Sequence, residues 1–196
     1  MKNVIIVMLC SIILLNCKSR ENYADEIYQP EVFQRSIDST WPERIKTRLK
    51  MFEEPDLSTL DHESYRLVFG HVFSDTIDII RVGNKDSKPY FIHKKIIINR
   101  DTTAIIVGLV EKSLGRDEWR LFKASIYQNR YWLLQREIDR EGLDGGTWTI
   151  EGRRPDAEAY KKRSYHVVAR WSPEEGEFRN ICEHLIDMDK KIESQK

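Results

Sequence analysis

The apolar and polar positions divide the chain into a short apolar run, a polar stretch and then a series of brief periodic segments. Residues 4–15 are apolar apart from Ser11, follow a single Lys2, and give way to Asn16-Cys17-Lys18-Ser19-Arg20. A helix that spans a bilayer needs about 20 apolar residues, so this run is too short and turns polar too soon. Residues 18–29 are polar and aperiodic, which predicts a tether. Trp41, Ile45, Leu49 and Phe52 then recur at helical spacing behind Ser39, Thr40 and Pro42, predicting a helix that ends before Pro55.

Five β-branched or aromatic segments follow, at 65–69, 76–82, 90–93, 95–99 and 104–109, parted by 83–89 and by Asn99-Arg100-Asp101-Thr102. Connections this brief leave no room for crossover helices, so the sheet should be largely antiparallel. Trp119, Phe122 and Ile126, with Asp117 and Glu118 ahead of them, predict a helix packed on that sheet. Tyr131-Trp132-Leu133-Leu134 is an apolar element whose type the pattern leaves open. The turn Gly142-Leu143-Asp144-Gly145-Gly146 leads into strict alternation at 147–152, and 165–171 alternates as well. Phe178, Ile181, Cys182, Leu185 and Ile186 form the stripe of a last helix, capped by Ser172-Pro173-Glu174-Glu175.

The expected fold is α+β: a largely antiparallel sheet of short strands with packed helices, including an N-terminal and a C-terminal one, in a single globular domain over 30–196. For the two alternating strands, pairing Trp148 and Ile150 with the face of Tyr165, Val167, Ala169 and Trp171 sets Gly152 opposite Tyr165 and Glu151 opposite His166.

Charge changes the picture little, because 32 basic and 32 acidic residues balance. The surface offers no basic footprint for nucleic acid. The start of the chain changes it more. Lys2 and the apolar run have the form of an export signal, and Leu14-Leu15-Asn16-Cys17 resembles the lipobox of bacterial lipoproteins, with Asn16 where a smaller residue is usual. The resemblance implies a signal peptide over 1–16, removal of that signal, lipidation of Cys17 with palmitate or a similar acyl chain, and a lipidated tether over 17–29. Stable anchoring follows from more than one acyl chain. The domain would then lie in the cell envelope outside the cytoplasm, with the outer membrane favoured because Lys18 follows the cysteine where an aspartate would signal inner-membrane retention. Cys10 leaves with the signal, so Cys182 has no partner for a disulfide and the fold rests on its apolar core.

Candidate chemistry is sparse. Glu151 and His166 are the pair best suited to general acid and base work if their strands set them face to face. Asp144 and Arg170 complete the candidate set, although aspartate before glycine is turn chemistry first. His62, His71, His93 and His184 show no recurrent ligand spacing, so no metal and no cofactor is expected. Trp148 and Trp171 suit either a core or an aromatic groove, and Cys182, on an apolar stripe, suits a core.

Gly142-Leu143-Asp144-Gly145-x-x-Trp148-x-x-Glu151-Gly152 and Tyr165-His166-Val167-Val168-x-Arg170-Trp171-Ser172-Pro173-Glu174-x-Gly176-x-Phe178-Arg179 together resemble a family of uncharacterised bacterial proteins. The resemblance covers about residues 63–188, with Tyr65-Arg66 and Ile80-Arg81 fitting more loosely, and implies no reaction. The first expectation is therefore a non-catalytic binding or interaction domain whose partner is an unknown envelope protein or ligand. A small hydrolase using Asp144, Glu151, His166 and Arg170 is the second, and an immunity or inhibitor lipoprotein the third.

Overall fold

A computed structural model describes residues 47, 49–70, 75–99, 103–136, 145–160 and 164–195, all within the compact unit Ile37–Lys196. The signal, Cys17, the tether, Trp41, Ile45 and Asp144 lie outside the described residues.

Six strands form one sheet: β1 (Glu63–Gly70), β2 (Thr76–Lys85), β3 (Lys88–Ile98), β4 (Ala104–Ser113), β5 (Thr147–Arg153) and β6 (Tyr165–Trp171). Their order is β4-β3-β2-β1-β5-β6 and every neighbouring pair is antiparallel. The first four strands make a meander, and β5 and β6 join on the free side of β1. Among the described residues the two long helices are α1 (Arg116–Gln128) and α2 (Glu177–Glu193).

The sheet is sandwiched, and alternation along each strand feeds two separate cores. Tyr65, Leu67, Phe69, Ile80, Val82, Phe91, Ile150 and Val168 pack against Phe122 and Ile126 of α1, Phe178, Ile181, Cys182, Leu185 and Ile192 of α2, and Tyr131 and Trp132. On the opposite face Ile79 and Ile96 pack against Leu49 and Phe52. These last two are the end of the predicted N-terminal helix, helical at 49–51.

Several elements depart from expectation for identifiable reasons. The segments 90–93 and 95–99 are one strand, because Lys94, which looks like a break, keeps its place in the pairing opposite Ile79. The separator 83–89 shrinks to a two-residue turn, Asp86-Ser87, with φ of 51° and 61°. Positive φ at both central residues is the hairpin turn whose twist matches that of its strands. The open element 131–134 contains a 3-10 turn, Tyr131–Leu133, entered through Arg130 at φ 48°. At the start of α1 the Glu118 carboxylate accepts from the Gly115 N–H at 2.7 Å, half of a capping box.

The last helix starts later than predicted. Its cap is Gly176, and Ser172 stands apart from it, accepting from the Gly146 N–H at 3.1 Å and donating its own N–H to the Gly146 carbonyl at 2.9 Å. That serine fastens the end of β6 to the start of β5.

The expected register of β5 against β6 is wrong by one residue. Gly152 faces His166, Ile150 faces Val168 and Glu151 faces Val167. Alternation misleads here because β6 is covered on both faces, with His166, Val167, Val168 and Ala169 all buried, so neither set of alternate residues is the solvent set.

Candidate functional site

The one-residue shift sends the two members of the expected acid/base pair to opposite faces of the sheet. Glu151 points to the face of Arg66, accepting from Nη2 at 2.8 Å and from the Tyr165 hydroxyl at 2.9 Å. His166 points to the helical face, where Nε2 meets the Leu134 carbonyl at 2.9 Å and the ring packs on Tyr131 and Trp132. Arg170 lies on the same face as His166 but donates to the carbonyls of Ala169 at 2.6 Å and Gln135 at 2.7 Å. Glu151 and His166 therefore share no site, and Asp144 is outside the described residues.

The structure instead gathers charge around Glu54, just beyond the N-terminal helix. Its carboxylate, with a fully buried side chain, lies 3.2 Å from Arg66 Nη1, 3.0 Å from Arg81 Nε and 2.9 Å from Lys94 Nζ. Arg66 bridges Glu54 to Glu151 and also donates to the Pro55 carbonyl at 2.7 Å. Lys94 Nζ donates to the carbonyls of Phe52 at 3.1 Å and Glu53 at 2.7 Å, where a helix end favours a cation. Burial opposes the charge on Arg66, but the Glu151 and Glu54 carboxylates more than restore it, so its proton is held more tightly than in water. Each buried cation has a carboxylate or carbonyl within reach, which is how a protein ties two layers together across a polar seam.

A second cluster lies between the sheet and α2. His93 on β3 has Nε2 2.8 Å from Asp78 Oδ1 on β2 and Nδ1 2.9 Å from Asp189 Oδ1 on α2. Burial works against the imidazolium, but the Asp189 and Asp78 carboxylates beside its two ring nitrogens outweigh that, raising the pKa to about 9. Sequence reasoning missed both clusters. Their members come from strands and helices far apart in the chain, and a lone arginine or histidine in an apolar strand carries no spacing that names its partner.

No family model, curated protein or solved structure matches the chain. No residue's role is thus carried over from a relative, and the functional reading rests on the contacts themselves.

His71 lies outside the described residues, and the remaining described candidates take part in packing and local hydrogen bonds. Trp148 stacks on Phe69 at 5.1 Å between ring centroids, with the Arg179 guanidinium 4.5 Å over its ring. His62 joins Asp61 and the Tyr90 hydroxyl, and His184 meets Phe122 edge-on at 5.9 Å. Cys182 is fully buried on the α2 stripe, and burial pushes its thiol above the ordinary range. Cys182 in the native protein is therefore expected to resist a thiol reagent for as long as the domain stays folded; rapid labelling of Cys182 without denaturant would contradict this placement.

Proposed function

We propose that this chain is a lipid-anchored envelope protein whose globular domain binds a partner instead of catalysing a reaction. The observation that carries the non-catalytic part is the separation of Glu151 from His166 by the thickness of the sheet, each held in contacts that build the fold. A general base must reach both its proton and a nucleophile, and a carboxylate shared between a buried guanidinium and a tyrosine hydroxyl is not poised to do so. The anchor rests on the residues around Leu14-Leu15-Asn16-Cys17. A chain held at a membrane gains from an interaction domain because tethering raises its effective concentration toward any partner on the same surface.

The test has two arms. Replacing Cys17 with alanine is expected to abolish incorporation of labelled palmitate and to release the chain from the membrane fraction. Continued labelling of that variant ends the anchor. Cross-linking of the anchored chain in intact cells is expected to yield a stoichiometric partner. Hydrolytic turnover by the purified chain that falls in both Glu151→Gln and His166→Gln, with both variants folded, would restore the enzyme reading.

A further inference from the structure

We propose that His93, Asp189 and Glu193 form a binding site for one divalent transition-metal ion of the zinc or manganese class. One ligand atom from each lies within 4.8 Å of the other two. A tetrahedral ion with bonds of about 2.0–2.2 Å holds its ligand atoms about 3.3 Å apart, so His93 and Asp189, 2.9 Å apart, need only part slightly while Glu193 draws in. The residue free to make that movement is Glu193. It is exposed at the last position of α2, and among the described residues it has no hydrogen-bond or ion-pair partner.

Three further observations point to a cation. Asp189 and Glu193 are spaced by four residues and share one face of α2, at the end of the helix where the backbone dipole is negative. Two acids there oppose the dipole, a cost that a bound cation removes. Lys190 and Lys191 occupy the same turn but turn away, toward Asp187 at 2.9 Å and Glu118 at 3.8 Å. Second, Asp189 is nine-tenths buried, yet its Oδ1 has no aligned hydrogen-bond donor, although His93 Nδ1 stands 2.9 Å away. The carboxylate faces the imidazole across a gap without the geometry of a completed hydrogen bond. Third, Asp78 holds His93 Nε2 at 2.8 Å from the far side. A carboxylate behind a histidine, fixing the ring so that its other nitrogen faces the ion, is the usual support of a metal-bound imidazole.

One imidazole nitrogen and two carboxylate oxygens select among ions by their chemistry. Calcium and magnesium prefer all-oxygen shells, while zinc and manganese accept this mixture, zinc more strongly. Three protein ligands leave a position open for water or for a group on a partner. An ion there would join β3 to the end of α2, and the site is independent of whether the chain is anchored or what it binds.

The test is calorimetric titration of the full chain in detergent, stripped with chelator, with zinc chloride, manganese chloride and calcium chloride. We expect one zinc per chain with Kd below about 10 µM, weaker manganese binding and no calcium binding at that concentration. Glu193→Gln, at an exposed position that leaves the fold intact, should weaken zinc at least about tenfold, and Asp78→Asn should weaken it about 10- to 100-fold. His93→Gln, if it folds, should abolish it. Zinc binding weaker than about 10 µM, or zinc binding that Glu193→Gln leaves unchanged, overturns the assignment.

Discussion

Arg66→Ala is expected to destabilise the domain by about 3–5 kcal/mol, the loss typical when one partner of a buried ion pair is removed. Arg66 is fully buried at the centre of the sheet, on the strand that pairs with both β2 and β5. Its guanidinium makes contacts to Glu151, Glu54 and the Pro55 carbonyl at once. Alanine leaves Glu151, only 1% exposed, with the Tyr165 hydroxyl still donating to it and opens a large void beside it. Glu54 suffers less, since Arg81 and Lys94 remain. The penalty thus comes chiefly from stranding Glu151. Urea unfolding of Arg66→Ala against the parent chain measures it, and a loss under about 1 kcal/mol would show that the seam is hydrated. Pairing Arg66→Met with Glu151→Leu should recover much of the loss, because two apolar groups need no partners.

Gly152→Val should cost about 3 kcal/mol, at the upper end of what overpacking a core costs. A Cβ on Gly152 would stand 2.6 Å from Tyr131 Cε1 and 2.9 Å from Tyr65 Cδ1 and Cε1. Neither ring can withdraw. Tyr65 is fully buried against Phe122, Tyr131 and Trp132, and Tyr131 donates its hydroxyl to the His166 carbonyl at 2.7 Å, which fixes it over β5 and β6. Thermal unfolding should show the loss in Gly152→Val, with Gly152→Ala falling between it and the parent; a valine variant as stable as the parent would mean that the rings are free to move.

These two residues also show how far the sequence could be read. Gly152 stood out as the glycine of an alternating strand, but its purpose, room for two tyrosine rings, depends on a 3-10 turn whose type the pattern did not reveal. Arg66 sat inside an apolar strand with nothing to name Glu151 as its partner, 85 residues away. Elements with a clear period were legible: α1, the stripe of α2 and the antiparallel meander follow from spacing alone. Whatever depended on two covered faces was not. Tyr165, Val167, Ala169 and Trp171 looked like one apolar side, and in a half-exposed strand they would have been. With Val167 beside a buried glutamate and His166 beside aromatic rings, hydropathy stops marking inside and outside, and the register of β6 and the acid/base pair built on it went with it.

The strand order carries a consequence for how the chain matures. β1 is central, yet only one of its edges is closed by a neighbour in sequence; the other waits for β5, and both helical covers of that face come after the meander is complete. Closing a loop of that length costs entropy before the contact repays it, which slows the step. Until β5, α1 and α2 have been made, the first four strands lack both the partner that closes β1 and the helices that cover their aromatic face. Any sheet assembled at that stage would present an open strand edge to other chains, which the finished order closes by adding β5 and β6 to β1.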